Sequence, residues 1–131
     1  MKKHEILYED EYNIVFFSNQ PVNPAHTLVI PKKHVKSLLT LADHEVDRLF
    51  ELVKKTAQII HKVLKPDGLD IGTNYGKIAG QSVDHLHVHV IPRYKGDFNF
   101  LQIVGKSIAP YGKLNKVDAN KIAEQLKGAW R

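Results

Sequence analysis

The stretch "DHLHVHVIPR", residues 84–93, carries His85, His87 and His89 at every second position, three of the eight histidines in the chain. Side chains alternate faces along a strand, so the three imidazoles share one face while Leu86, Val88 and Val90 share the other. A strand over about residues 84–92, closed by Pro92, buries its apolar side. Its other side presents a row of imidazoles.

Three uses of such a row are open. As an incidental surface cluster it has no structural reward, since histidine has only middling strand propensity. As a metal site it has partial geometry. Residues i and i+2 lie ~6.7 Å apart along a strand, and two such imidazoles can converge on one ion. The outer pair is then ~13 Å apart at the backbone, so a further ligand such as His26, His34 or Asp84 is needed to complete a site. As a covalent catalyst, a neutral imidazole is a good nucleophile toward phosphorus. That chemistry needs one ring nitrogen free, its partner nitrogen held by an acceptor, and donors around the phosphate oxygens. A central nucleophile with hydrogen-bonding neighbours on either side is what the spacing suits best.

The residues just before the row agree. "GTNYGKIAGQS", residues 72–82, offers amides at Asn74 and Gln81, a hydroxyl at Ser82, and at Gly80 a turn that lets backbone approach a ligand. No Gly-Lys-Ser/Thr follows a glycine loop, so this is no Walker A site. Phosphate contacts here are expected from neutral donors.

Outward from this core, "EILYE" and "NIVFFS" read as strands around a turn, and "AHTLVIPKKH" as a third strand ended by Pro31. Thr40 and Asp43 have the spacing of a capping box. Behind them Val46, Leu49, Phe50, Val53, Ala57, Ile60 and Leu64 recur at helical spacing until "KPDG" breaks the helix. "LDIGTNYG" is a strand that a short glycine-containing loop joins to the histidine strand as an antiparallel hairpin. "RYKGDFNF" turns into an extended piece, "LQIVG", and "APYGKLN" reads as loop. Asp118 is placed to cap a last short helix bearing Ile122, Leu126 and Trp130. The expected class is α+β, an antiparallel sheet with one long helix and a short C-terminal helix, in one domain over residues 1–131.

Cysteine is absent, which excludes disulfides and thiolate metal sites. The start "MKKHEILYEDEY" lacks an apolar core, so no signal peptide is expected, and no run is long enough to span a bilayer. A cytoplasmic location, with no membrane partner, is the resulting expectation. The net charge of +5 is scattered in short pairs such as Lys32-Lys33 and Lys54-Lys55. No basic stripe interleaved with aromatics marks a nucleic-acid groove, so a small anionic ligand is expected and nucleic acid is not.

The sequence resembles the histidine triad (HIT) family of nucleotide hydrolases and transferases. The resemblance is carried by "HLHVHVI" after "AGQSVD", by "ILYEDEYNIVFFSNQPVNPAHTLVIPKKH" and by "HVIPRYKGD", and spans roughly residues 5–100. It implies a half-barrel-like antiparallel sheet with a long helix, usually in a homodimer. It implies that His87 attacks the α-phosphate of a nucleotide, purine favoured, and that water then releases a nucleoside monophosphate. His85 matches the residue whose carbonyl orients the nucleophile. His89 and Ser82 match phosphate contacts, Asn74 and Gln81 are phosphate-side amides, and His26 matches a second active-site histidine. Phe17 and Leu28 match the apolar wall around the nucleoside, and Ser18 or Asn19 the grip on the ribose.

Two departures stand out. Relatives with a Cys-x-x-Cys zinc segment differ from this cysteine-free chain, so no metal site is expected. Ser18 stands where relatives often carry Asp or Asn. No cofactor is required, although a divalent cation can accompany a polyphosphate substrate. His34 reads as a capping or surface residue, and His44 and His61 as helix-surface residues. Dinucleoside polyphosphate cleavage is favoured over phosphoramidate hydrolysis because "IPRYKGDFNF" resembles the members acting on dinucleoside polyphosphates, with phosphorolysis a variant. A nucleotide- or metal-binding protein without turnover is the outside alternative.

Overall fold

The computed structural model describes residues 6–97 and 116–130, with the backbone alone for 116–119. Five strands form one sheet: β1 (Ile6–Glu9), β2 (Asn13–Phe17), β3 (Thr27–Pro31), β4 (Gly68–Gly72) and β5 (Val88–Arg93). Their order is β1-β2-β3-β5-β4, and every neighbouring pair is antiparallel. Helices α1 (Asp43–Leu64) and α2 (Lys116–Trp130) and two short 3-10 turns, Leu38–Thr40 and Lys77–Ala79, complete the described elements.

Local chemistry explains the first hairpin. The Asp10 carboxylate accepts the N–H groups of Tyr12 (2.9 Å) and Asn13 (2.8 Å), turning the chain between β1 and β2. Val15, Val29, Val88 and Val90 then line the covered face of the sheet, all at 0% exposure.

Helix α1 lies against that face with Leu49, Leu52, Val53, Thr56, Ala57, Ile59 and Ile60 buried. Burying each large aliphatic contributes about 1.5–3 kcal/mol. Thr56 fits this stripe because its hydroxyl donates to the Leu52 carbonyl at 2.8 Å. Phe50, expected among the apolar positions, is one residue off the stripe and is exposed. Thr40 is not the cap. It closes a 3-10 turn over Leu38–Thr40, and Ala42 takes the N-cap position, where the Glu45 carboxylate reaches back to its N–H at 3.3 Å. The helix ends as expected before Pro66, with Lys65 left-handed (φ 49°) and its N–H on the His61 carbonyl at 3.1 Å.

Two other expectations change. β4 and β5 do pair, but the connection between them spans residues 73–87 and is built as a loop of its own. Helix α2 begins at Lys116, two residues before Asp118, so Asp118 lies inside it. The helix has 15 residues and packs Ala123 and Leu126 into the core, with Trp130 stacked on Tyr8 at 5.7 Å between ring centroids. The "LQIVG" piece and the "APYGKLN" loop lie outside the described residues. No helix among the described residues is long and apolar enough to cross a membrane.

Candidate active site

The second face of the sheet is set by register. Phe16, Leu28, His89 and Gly72 stand opposite one another across β2, β3, β5 and β4. Directly opposed residues share a face, so Leu28 lies beside His89. Phe17 belongs to the neighbouring row with Thr27, Val90 and Ile71, and it packs against the core. Phe16, rather than Phe17, shares the histidine face. The doublet Phe16-Phe17 hid this, because a one-residue shift in strand phase exchanges the two faces.

β5 starts at Val88, so His85 and His87 precede the ladder, yet the alternation of buried Leu86 and Val88 with half-buried histidines continues through them. Three contacts hold this approach. The His85 Nε2–H donates to the Pro31 carbonyl at 2.9 Å, Leu86 N–H donates to the Val35 carbonyl at 2.7 Å, and the Thr73 hydroxyl donates to the His87 carbonyl at 2.7 Å.

Backbone groups fix the proton positions on the rings. The His87 Nδ1 lies 2.7 Å from the His85 carbonyl. A carbonyl only accepts, so Nδ1 carries the proton and Nε2 of neutral His87 keeps its lone pair. The His26 Nδ1 receives the Val22 backbone N–H at 3.0 Å. An amide only donates, so the His26 proton is on Nε2, which lies 2.8 Å from His89 Nδ1. His89 Nδ1 therefore accepts and its Nε2 carries the proton. The His87 and His89 rings meet edge-on, centroids 4.9 Å apart. A lone pair and an N–H donor are thus presented side by side.

Electrostatics keep His26 and His89 neutral. Burial, then the nearby imidazoles of His89 and His87, pushes His26 down to about 3. Burial, followed by His87, pushes His89 down to about 4. Desolvation penalises the charged imidazolium, and each neighbouring ring adds to the penalty.

The loop between β4 and β5 positions the remaining candidates. Asn74 donates to the Ala79 carbonyl at 2.6 Å. Gln81 accepts the Gly76 N–H at 2.8 Å and donates to the Lys36 carbonyl at 3.0 Å. Both ends of the Gln81 amide thus brace the loop. Gly80 is left-handed (φ 97°), a conformation that glycine adopts without strain. Ser82 is exposed at the end of this loop. Ser18 donates its N–H to the His26 carbonyl at 2.8 Å, and its hydroxyl accepts the Gln20 N–H at 3.1 Å. Asn19 beside it is exposed. His34 is exposed too, its ring edge-on to His85 with centroids 5.5 Å apart, and His44 and His61 are exposed on α1. Among the described residues no group of three or more potential metal ligands converges.

Comparison with known proteins gives the family. The family model of the HIT domain matches residues 1–96. The chain belongs to the HIT family. An uncharacterised HIT-like protein of Methanocaldococcus jannaschii is 37% identical over 124 residues, covering 95% of this chain and 89% of its own. A bis(5'-nucleosyl)-tetraphosphatase (asymmetrical) of Schizosaccharomyces pombe is 36% identical over 124 residues. That match covers 95% of this chain but only 65% of the yeast enzyme. A crystal structure of a hypothetical histidine triad nucleotide-binding protein from Sulfolobus tokodaii superposes with a TM-score of 0.82 at 34% identity, covering 98% of this chain and 84% of that one. The HIT fold is therefore this chain's fold.

Proposed function

We propose that this HIT protein cleaves nucleotides at the α-phosphate through a nucleotidylated His87, with dinucleoside polyphosphates as substrates. The observation that carries the reading is the pair of fixed tautomers. The bare His87 Nε2 attacks phosphorus while the bond from phosphorus to the bridging oxygen breaks. His89 Nε2–H donates to the developing oxyanion, and Ser82 and Asn74 stand on the loop that flanks the same phosphate. The leaving nucleotide departs as its oxyanion. Water then attacks phosphorus, the phosphorus–nitrogen bond breaks and His87 regains its lone pair; the nucleoside monophosphate leaves with the water's oxygen and one of its protons, and the other proton passes to solvent.

The polyphosphate substrate is supported by the activity named for the yeast relative and by "IPRYKGDFNF" after the triad. Leu28 and Phe16 form the apolar side of the nucleoside site, with Ser18 or Asn19 near the ribose. A purine nucleotide suits such a wall. The protein acts as a homodimer in this reading, with β4, the edge strand among the described residues, and its exposed Ile71 available for pairing.

A substrate panel tests the proposal. Diadenosine tetraphosphate, diadenosine triphosphate and an adenosine phosphoramidate are compared by kcat/KM with product analysis, in water and with added phosphate. The expected result is release of AMP with the polyphosphates as best substrates. Preference for the phosphoramidate moves the assignment to phosphoramidase, and a nucleoside diphosphate product formed only with phosphate makes it a phosphorylase. No turnover of any member overturns it.

A further inference from the structure

Loop 18–26 must hold the Val22 N–H against His26 Nδ1, and its own sequence does not favour the shape required. Asn23-Pro24-Ala25-His26 closes as a turn, with the His26 N–H on the Asn23 carbonyl at 3.0 Å and Ala25 at φ 67°. Pro24 suits the second position of such a turn, but the third ordinarily calls for glycine. A left-handed alanine costs about 1–2 kcal/mol and persists only where surrounding contacts enforce it. One such contact is local, the buried Thr27 hydroxyl on the Ala25 carbonyl at 2.8 Å, and the others come from the far end of β5.

Asn23 is 1% exposed, and its side-chain NH2 donates both to the Pro92 carbonyl (2.8 Å) and to Asp97 Oδ2 (2.7 Å). Asp97 in turn receives Arg93 Nε (2.9 Å), Arg93 Nη2 (2.6 Å) and the Tyr94 N–H (2.8 Å). Arg93 is anchored again by Nη1 on Asp70 at 2.6 Å, across the β4–β5 pair. The guanidinium fork holds Asp97 through two parallel bonds, the strongest and most directional form of such a pair. Burial by itself would raise the Asp97 carboxyl, but the Tyr94 amide, Arg93 and Asn23 outweigh it and hold the group below its ordinary value. The carboxylate is thus a fixed acceptor for Asn23.

We propose that Asn23, Asp97 and Arg93 are positioning residues that impose the proton placement of the active site from outside it. The order of action is Arg93 on Asp97, Asp97 on Asn23, Asn23 on the turn, the Val22 N–H on His26, and His26 on His89. Loss of the anchor frees the turn, Val22 withdraws from His26 Nδ1, and His26 no longer delivers its Nε2–H to His89. His89 then ceases to be a fixed Nε2–H donor. His87 is untouched, because its tautomer is set by the adjacent His85 carbonyl. The inference rests on the roles given above to His87 and His89, but its first readout does not depend on them.

The test uses full-length Asn23→Ala labelled with 15N at histidine, with Arg93→Lys as a milder variant that keeps the charge but not the fork. Imidazole nitrogen shifts report the tautomer of each ring, and circular dichroism reports the fold. In the wild type, single tautomers are expected: Nε2–H for His26 and His89, Nδ1–H for His87. In Asn23→Ala, His26 and His89 become mixtures, His87 does not change, and kcat falls about tenfold or more at unchanged KM. Arg93→Lys shows the same pattern, smaller. A folded Asn23→Ala with both single tautomers and full kcat overturns the inference, and so does the same result for Arg93→Lys should Asn23→Ala not fold. A wild type that turns over no nucleotide overturns the functional proposal alone, since the tautomer shifts still decide this one.

Discussion

His87 and His89 are neighbours on one face, yet their protons are placed by different parts of the molecule. His87 is set within its own segment, by a carbonyl two residues earlier at 2.7 Å. His89 is set across the sheet, by a histidine 63 positions away that is itself set by the backbone of loop 18–26. The lone pair of the proposed nucleophile is thus a local property of the chain. The N–H beside it is a tertiary one, and it is expected to fail when that loop moves.

Replacing His87 with Ala tests the local half and has the largest expected effect. Removing the attacking atom closes the covalent route, so kcat falls by roughly 10⁴-fold or more while nucleotide binding and the fold remain. Steady-state assays with a circular dichroism control measure it. Near-wild-type turnover would show that the local segment does not carry the chemistry.

His89→Ala strikes the tertiary half. The loss of one donor to the developing oxyanion is expected to lower kcat about 10²–10³-fold. His26→Asn, which removes the relay but leaves His89, is expected to lie between wild type and His89→Ala. Equal losses in the two variants would mean that His26 acts directly on substrate.

Stability against pH separates the halves without any substrate. His26 and His89 sit at about 3 and about 4 in the folded chain against an ordinary 6.5, so the unfolded chain binds their protons first. Their contribution is complete above pH 6.5 and is lost progressively as pH falls through about 4 toward 3. The slope is at most about 1.4 kcal/mol per pH unit for each histidine. Urea midpoints between pH 7 and 4 measure it, and His26→Asn is expected to flatten the slope. An unchanged slope would place the titration elsewhere.

Thr73→Val gives the smallest effect. It removes the hydroxyl on the His87 carbonyl and is expected to cost about 1 kcal/mol in stability, with a fall of a few-fold in kcat.

The same division governs what the sequence made legible. The alternation of His85, His87 and His89 with Leu86, Val88 and Val90 and the stripe of α1 are short-range periodicities, and both appear in the fold. The pairing of His26 with His89 spans 63 positions, so no local pattern announces it; His26 is reached only through family resemblance and as one of several possible further metal ligands. Phe16 and Phe17 could not be told apart without the register that assigns strand faces. Asn23 and Asp97 lie in stretches that carry the resemblance, yet no role is read for them; an asparagine between two prolines and an aspartate four residues after Arg93 are the traces such a network leaves.

The central claim is that phosphorus is attacked first by His87 and only then by water. The stereochemical course at phosphorus tests it most directly, using a dinucleoside polyphosphate with a chiral α-thiophosphate hydrolysed in isotopically labelled water. Two successive in-line displacements predict retention of configuration in the nucleoside monophosphorothioate. Inversion would mean a single direct attack by water, with His87 no more than its general base.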